Sequence, residues 1–315
     1  MPTKFLKPFE DILADITAAD AIFKAHEWPE KWSAAENSPL DDHARSKITS
    51  LKQGAIAALS ATVLEDKIAL TRSTARAWFN GQLAMGGDRS TSPPDRPGRP
   101  SKPNLVPPNR VKRRSVRSDK GRFALLHAIA HIELNAIDLA LDIVARFADQ
   151  KMPRSFFDGW IRVALEEAKH FSLLQQRLEH MGGAYGDLDA HDGLWEAAQD
   201  TGHSLTARLA VVPLILEARG LDITPSLIAQ MREVGDEQSA NIFEIIYRDE
   251  QGHVAVGAKW FRFLCHKEKR DPVAAFNELV RTHFRGHLKP PFNASARSRA
   301  GLTPIMYRAL SSAGH

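Results

Sequence analysis

The chain has 315 residues, 43% of them hydrophobic, and a formal net charge of +4 with a sequence pI near 9.2. That size and apolar content support a substantial core, and so mild a basic balance neither demands nor excludes a nucleic-acid partner. Cys265 is the only cysteine, which excludes an intrachain disulfide, a thiolate zinc cluster and an iron–sulfur cluster; any metal must be held by histidine and carboxylate groups.

The first residues lack the apolar run and small-residue cleavage site of a signal peptide. No uncharged apolar stretch reaches 18 residues. A soluble cytoplasmic protein without membrane partners is the expectation. Residues 9–26 and 43–83 carry amphipathic helical spacing, for example Ile48, Leu51, Ile56, Leu59, Val63 and Leu70. They read as scaffold within an N-terminal helical region, residues 1–91.

Residues 92–108 hold seven prolines, which cannot continue a helix and favour extended backbone. This segment opens a connecting arm, 92–118, that is either a linker or a strap laid across a folded surface through its Arg and Asp residues. A basic run follows: Arg110, Lys112, Arg113, Arg114, Arg117, Lys120 and Arg122. It is either a solvated lead-in to the next helix or a phosphate-contacting strip through which the chain meets RNA.

Long helices are expected at 119–149 and from about Pro153 and Ser155 to His180, ahead of Gly182 and Gly183. A short helical piece fits Asp192–Thr201. A third core helix starts near Ser204 and stops at Gly220 as a C-terminal cap, with a restart at Thr224-Pro225. A fourth runs from about Asp236 to Lys267. Nothing reads as a strand, so the fold class is all-α. The core, 119–289, reads as a four-helix bundle with a long crossover, and the tail, 290–315, as irregular.

Two Glu-x-x-His motifs occur on these helices, Glu167/His170 and Glu250/His253. Each follows another glutamate by 34 or 33 residues, Glu133 and Glu217 respectively. With 17 Glu and 13 His in the chain, two copies alone mean little. Their surroundings carry more. Glu133 shares its helical face with Leu126, Ile129, Ala130, Ala136, Ile137 and Ala140. Glu167 lies with Trp160, Val163, Ala164, Phe171 and Leu174, Glu217 with Ala210, Pro213, Leu214 and Leu221, and Glu250 with Phe243, Ile246, Tyr247, Val254 and Gly257. A buried, unpaired carboxylate costs several kcal/mol or loses its charge, a penalty that two divalent cations remove.

Four carboxylates and two imidazoles match the ligand set of a dinuclear site in a four-helix bundle. Glu167 and Glu250 would bridge two ions, while Glu133, Glu217, His170 and His253 would be terminal ligands. Glu166 and Asp249, which precede the motifs, are placed to accept the second ring N–H of a ligating histidine. His127 and His131 fall on another stripe with Asn135, Asp138 and Asp142 and read as structural or exposed. Tyr247 reads as core or as a redox-active phenol beside the site. His283 and His287 have metal-ligand spacing but no acidic companions.

The stretch from PPDRPGRPSKPNLVPP through LLHAIAHIELNAIDLALD, EEAKHF, LEARGLD and YRDEQGHV to PPFNASARSRAG resembles an uncharacterised ferritin-like family, domain of unknown function 455. All six ligand positions fit that resemblance. The helix and ligand pattern is similar, more distantly, to the ferritin-like tRNA hydroxylases acting on methylthio-isopentenyl-adenosine. These resemblances imply a ferritin-like fold and dioxygen chemistry on two metal ions, iron first and manganese or mixed iron–manganese as variants. The expected function is an oxygenase or oxidase acting on a small-molecule or modified-nucleoside substrate. A monooxygenase of this kind needs an external reductase, since no Gly-rich dinucleotide motif is visible. Two alternatives keep the metals: a ferroxidase or peroxide scavenger, and a metal-stabilised RNA- or protein-binding module.

Overall fold

The computed structural model describes residues 48–86, 91–111 and 115–311. The helix expected over 9–26 lies outside them, as do residues 43–47 and the basic residues Lys112, Arg113 and Arg114. Among the described residues every regular element is helical: α1 (Leu51–Ser60), α2 (Leu64–Phe79), a 3₁₀ turn at Pro108–Arg110, α3 (Asp119–Arg146), α4 (Arg154–His180), α5 (Gly193–Asp200), α6 (Leu205–Val211), a π segment (Val212–Glu217), α7 (Ala218–Glu233), α8 (Glu237–Lys267), α9 (Pro272–His283), α10 (Ala294–Arg299) and α11 (Pro304–Ser311). The chain is all-α, and no described helix is long and apolar enough to cross a membrane.

The described chain divides into two compact units, one of residues 48–196 with 230–242 and one of 197–229 with 243–311. In the first, α3 and α4 form the main helix pair, joined through residues 147–153. So short a connection returns the chain antiparallel. Ser118 starts α3 by accepting from the Gly121 amide, the side-chain cap that a first turn requires. α1 packs on α2 and α3, and α2 packs on α4. The N-terminal helices therefore serve as scaffold for the pair, with a break at residues 61–63 inside the span read as helical.

The Pro-rich arm is a docked strap. Gly98 N donates to Leu59 O at 2.8 Å, and a Cβ on Gly98 would collide with the Ser60 carbonyl. Trp195 Nε1 donates to Asp95 O at 3.1 Å, Arg146 Nη2 to Pro94 O at 3.1 Å, and Val106 N to Ala190 O at 2.8 Å. Arg96 and Arg99 both pair with Asp192. Arg99 also donates to Asn135 Oδ1 at 2.6 Å and stands 3.4 Å from Asp138 Oδ2.

Asp138 anchors a buried polar seam on α3. Lys67 Nζ, fully buried, reaches Asp138 Oδ1 at 2.6 Å and donates to the carbonyls of Ala58 and Leu59 at 3.1 and 3.0 Å. One ammonium thus joins a carboxylate to two carbonyls in the last turn of α1, where helix carbonyls need donors from outside. Burial raises the Asp138 pKa, while Lys67 and Arg99 oppose that shift.

In the second unit, the third core helix does not stop at Gly220. α6, the π segment and α7 follow one another without interruption from Leu205 to Glu233, with Pro225 inside α7. Proline at 225 removes the amide that would bond Leu221 O, and the side chain of Asn293 replaces it at 3.2 Å. The tail, read as irregular, carries α10 and α11. Their docking is non-local: buried Arg297 pairs with Asp222 through Nε and Nη2 at 2.8 and 2.6 Å, with its guanidinium against the Phe292 and Tyr307 rings.

Candidate metal centre

The first half-site lies on the α3/α4 pair. Glu133 projects from α3, and Glu167 and His170 from one face of α4, where the three-residue spacing puts both side chains on adjacent turns. All three are buried. His170 Nδ1 lies 3.0 Å from Glu133 Oε2 and 3.3 Å from Glu167 Oε2. Burial pushes the Glu133 carboxyl well above the usual carboxylate range, the nearby Glu167 charge adds to the rise, and His170 opposes it. The Glu133 carboxyl is thus held in a setting that resists its ionisation.

In the second unit, Glu217 closes the π segment and Glu250 and His253 project from α8. His253 is fully buried and Glu250 nearly so; Glu217 is partly buried. His253 Nδ1 stands 3.7 Å from Glu250 Oε1. Two glycines set the local helix approach. A Cβ on Gly257 would meet Pro213 Cβ and Cγ at 2.6 Å, so α8 passes close to the π segment only because that side chain is missing. A Cβ on Gly220 would lie 3.9 Å from Glu250 Cγ, which places Glu250 against the first turn after Glu217. Single-turn π segments are frequent at functional sites, because the extra residue re-aims the following side chains.

Glu133, Glu167 and His170 form one buried group on the α3/α4 pair: each offers one ligand atom, and these atoms lie within 4.8 Å of one another. This group could hold a metal ion. Two carboxylates and one imidazole, with no thiolate, are donors that suit iron, manganese or zinc. Glu217, Glu250 and His253 lie in the second unit. Glu166 accepts from Arg162 Nε at 3.1 Å, and Asp249 Oδ1 stands 3.3 Å from Arg248 Nε, so each of these acids is held by an arginine of its own helix.

His127 and His131 resolve as structural. His127 Nε2 accepts from Gly186 N at 2.9 Å, and His131 contacts the Tyr185 hydroxyl at 2.8 Å and His191 O at 3.0 Å. Both are buried, so the exposed alternative does not hold. The Tyr247 hydroxyl lies 3.0 Å from Asn293 Nδ2. His283 faces the His203 ring, with 5.2 Å between centroids. In the basic run, Arg122 pairs with Asp119 and Asp236. Sequence reasoning missed the seam of Lys67, Arg99, Asn135 and Asp138. Its only signal was the polar stripe on α3, which a covering strap turns from a solvent face into an interior one.

Residues 60–308 match the family described as Protein of unknown function (DUF455). The chain belongs to that family. An uncharacterized protein of Haemophilus influenzae is 45% identical over 209 residues, covering 65% of this chain and 73% of the relative. No solved structure matches the chain.

Proposed function

We propose that this DUF455 chain is a dinuclear metal oxidoreductase with a ferritin-like bundle, working in the cytoplasm to oxidise an organic substrate with dioxygen. The buried Glu133–Glu167–His170 group on α3 and α4, with the second Glu-x-x-His pair of Glu250 and buried His253 on α8, carries this reading. Burial raises the Glu133 pKa by desolvating its charge, and repulsion from the neighbouring Glu167 carboxylate adds to the rise. Cations would relieve the repulsion, and hard oxygen and imidazole donors favour iron, with manganese acceptable in one or both positions. Glu167 and Glu250 would be among the residues that hold the ions. Glu133 with His170 and Glu217 with His253 would complete the two halves. Glu166 and Asp249, steadied by Arg162 and Arg248, would orient the ligating imidazoles.

The chemistry that bound, reduced ions would supply is dioxygen activation. The chain's own part is to exclude water and to manage protons. Apolar neighbours with no exposure, among them Ala130, Ile137, Val163, Ala164 and Phe171, line α3 and α4 on either side of the ligands. The Glu133 carboxyl, whose pKa burial raises, would have to give up its proton to serve as a ligand. Electrons for a monooxygenase would come from a separate reductase, and the substrate would be a small molecule or modified nucleoside.

The test is oxygen consumption by iron-loaded, chemically reduced protein, with and without a panel of small-molecule and modified-nucleoside substrates. Uptake that depends on an organic substrate supports the proposal. Uptake driven by ferrous ion alone replaces it with a ferroxidase. No uptake under either condition, joined to RNA affinity that falls steeply with salt, replaces it with a metal-stabilised binding module.

A further inference from the structure

The side chain of Asn293 contacts both polypeptide segments of the second half-site. Its Nδ2 donates to Leu221 O at 3.2 Å and to the Tyr247 hydroxyl at 3.0 Å. Leu221 follows Glu217 by one helical turn, and Tyr247 precedes Glu250 by one turn. A single amide group therefore ties the segment after one glutamate to the segment before the other.

The orientation of that amide follows from its neighbours. Asn293 Oδ1 accepts from Ala296 N at 3.1 Å and caps α10, so the nitrogen must face the other way. Leu221 O can only accept, and Pro225 has removed its helical donor. Both amide hydrogens thus have an acceptor. The residue itself is firmly placed. Its backbone N–H donates to Asp222 Oδ1 at 2.9 Å, the carboxylate that buried Arg297 also holds, and Arg219 Nη1 donates to Lys289 O and Pro291 O on the approach to it at 2.7 and 3.2 Å.

We infer that Asn293 is a positioning residue for the metal centre, fixing the separation of Glu217 and Glu250 so that both reach one ion. The inference rests on the dinuclear reading above. It also assigns a role to the C-terminal tail: the docked segment from Lys289 to Arg297 completes the site from outside the ligand helices. Tyr247 then acts as the acceptor that links Asn293 to α8.

Mn(II) titration of metal-free protein, followed by the paramagnetic signal of the unbound ion, tests this. Wild-type chain, Asn293→Asp and Tyr247→Phe are compared, with thermal unfolding of each metal-free form alongside. Asn293→Asp keeps the acceptor that caps α10 and loses both donors, so it separates positioning from capping. The expected result is two ions for the wild type, and in Asn293→Asp one of them weakened by about 10–100-fold, the usual effect of removing a partner outside the ligand set. Tyr247→Phe, which removes one acceptor, should shift that same ion in the same direction by less. Unchanged affinity for both ions in Asn293→Asp overturns the inference and leaves the dinuclear reading standing. A lowered unfolding temperature with both affinities intact also overturns it, since the tail is then only structural. A wild type that takes no Mn(II) overturns the inference and the metal reading together, and the wild-type arm alone reports that outcome.

Discussion

Replacing Glu167 by Gln separates a glutamate kept for a ligand from one kept for stability. Glu167 is fully buried, and its ligand oxygen lies within 4.8 Å of that of Glu133. Two unit charges at that separation repel by about 3 kcal/mol at an effective dielectric of about 20. Protonation relieves part of this, as the raised Glu133 pKa shows, so about 1–3 kcal/mol remains for the substitution to recover. Glutamine conserves volume and leaves an acceptor for His170 Nδ1. The metal-free Glu167→Gln chain should therefore be more stable than the metal-free wild type. In thermal unfolding the gain amounts to about 2–4 °C for each kcal/mol. The same variant should lose most of its metal affinity. Calorimetric scans of both proteins with and without chelator read both signs in one experiment. A metal-free variant less stable than wild type by 1 kcal/mol or more would refute the reasoning, because Glu167 would then be a satisfied structural acid.

Lys67→Met removes a fully buried ammonium and leaves Asp138 and the Ala58 and Leu59 carbonyls without its three contacts; urea denaturation should show a loss of about 3–5 kcal/mol. A loss below about 1 kcal/mol would mean that Arg99 alone satisfies the seam. His131 should contribute less stability in acid, against the opposite trend of Glu133 and Asp138, whose raised pKa values favour the fold as pH falls. Burial, aided by Arg99, depresses the His131 pKa from 6.5 to about 4, so the fold favours the neutral ring. That contribution is complete above pH 6.5 and is lost as pH falls toward 4. It amounts to about 3 kcal/mol, read as a shift in urea midpoints between pH 7 and 4. His127, also depressed by burial, acts in the same direction, and His131→Gln should flatten the profile.

The helices α3, α4 and α8 were legible in the sequence to within a few residues. Each has a strong apolar period, and α3 begins at a serine whose hydroxyl caps it. The inward direction of Glu133, Glu167 and Glu250 was legible for the same reason. What failed depended on partners far along the chain. Gly220 and Thr224-Pro225 read as a break, because the donor that replaces the missing Pro225 amide is Asn293. The polar stripe of His127, His131, Asn135 and Asp138 admitted an exposed reading, because the residues that satisfy it come from α2, the Pro-rich strap and residues 185–191. The tail read as irregular because α10 and α11 are too short to show a period; Arg297, paired with Asp222, anchors them.

Metal content tests the dinuclear centre most directly. Protein purified without added metal and then loaded anaerobically with ferrous ion should bind two ions per chain, and a Glu167→Ala/Glu250→Ala double variant should bind neither tightly. A wild-type chain that stays metal-free after loading, or a double variant that binds as wild type does, would contradict it.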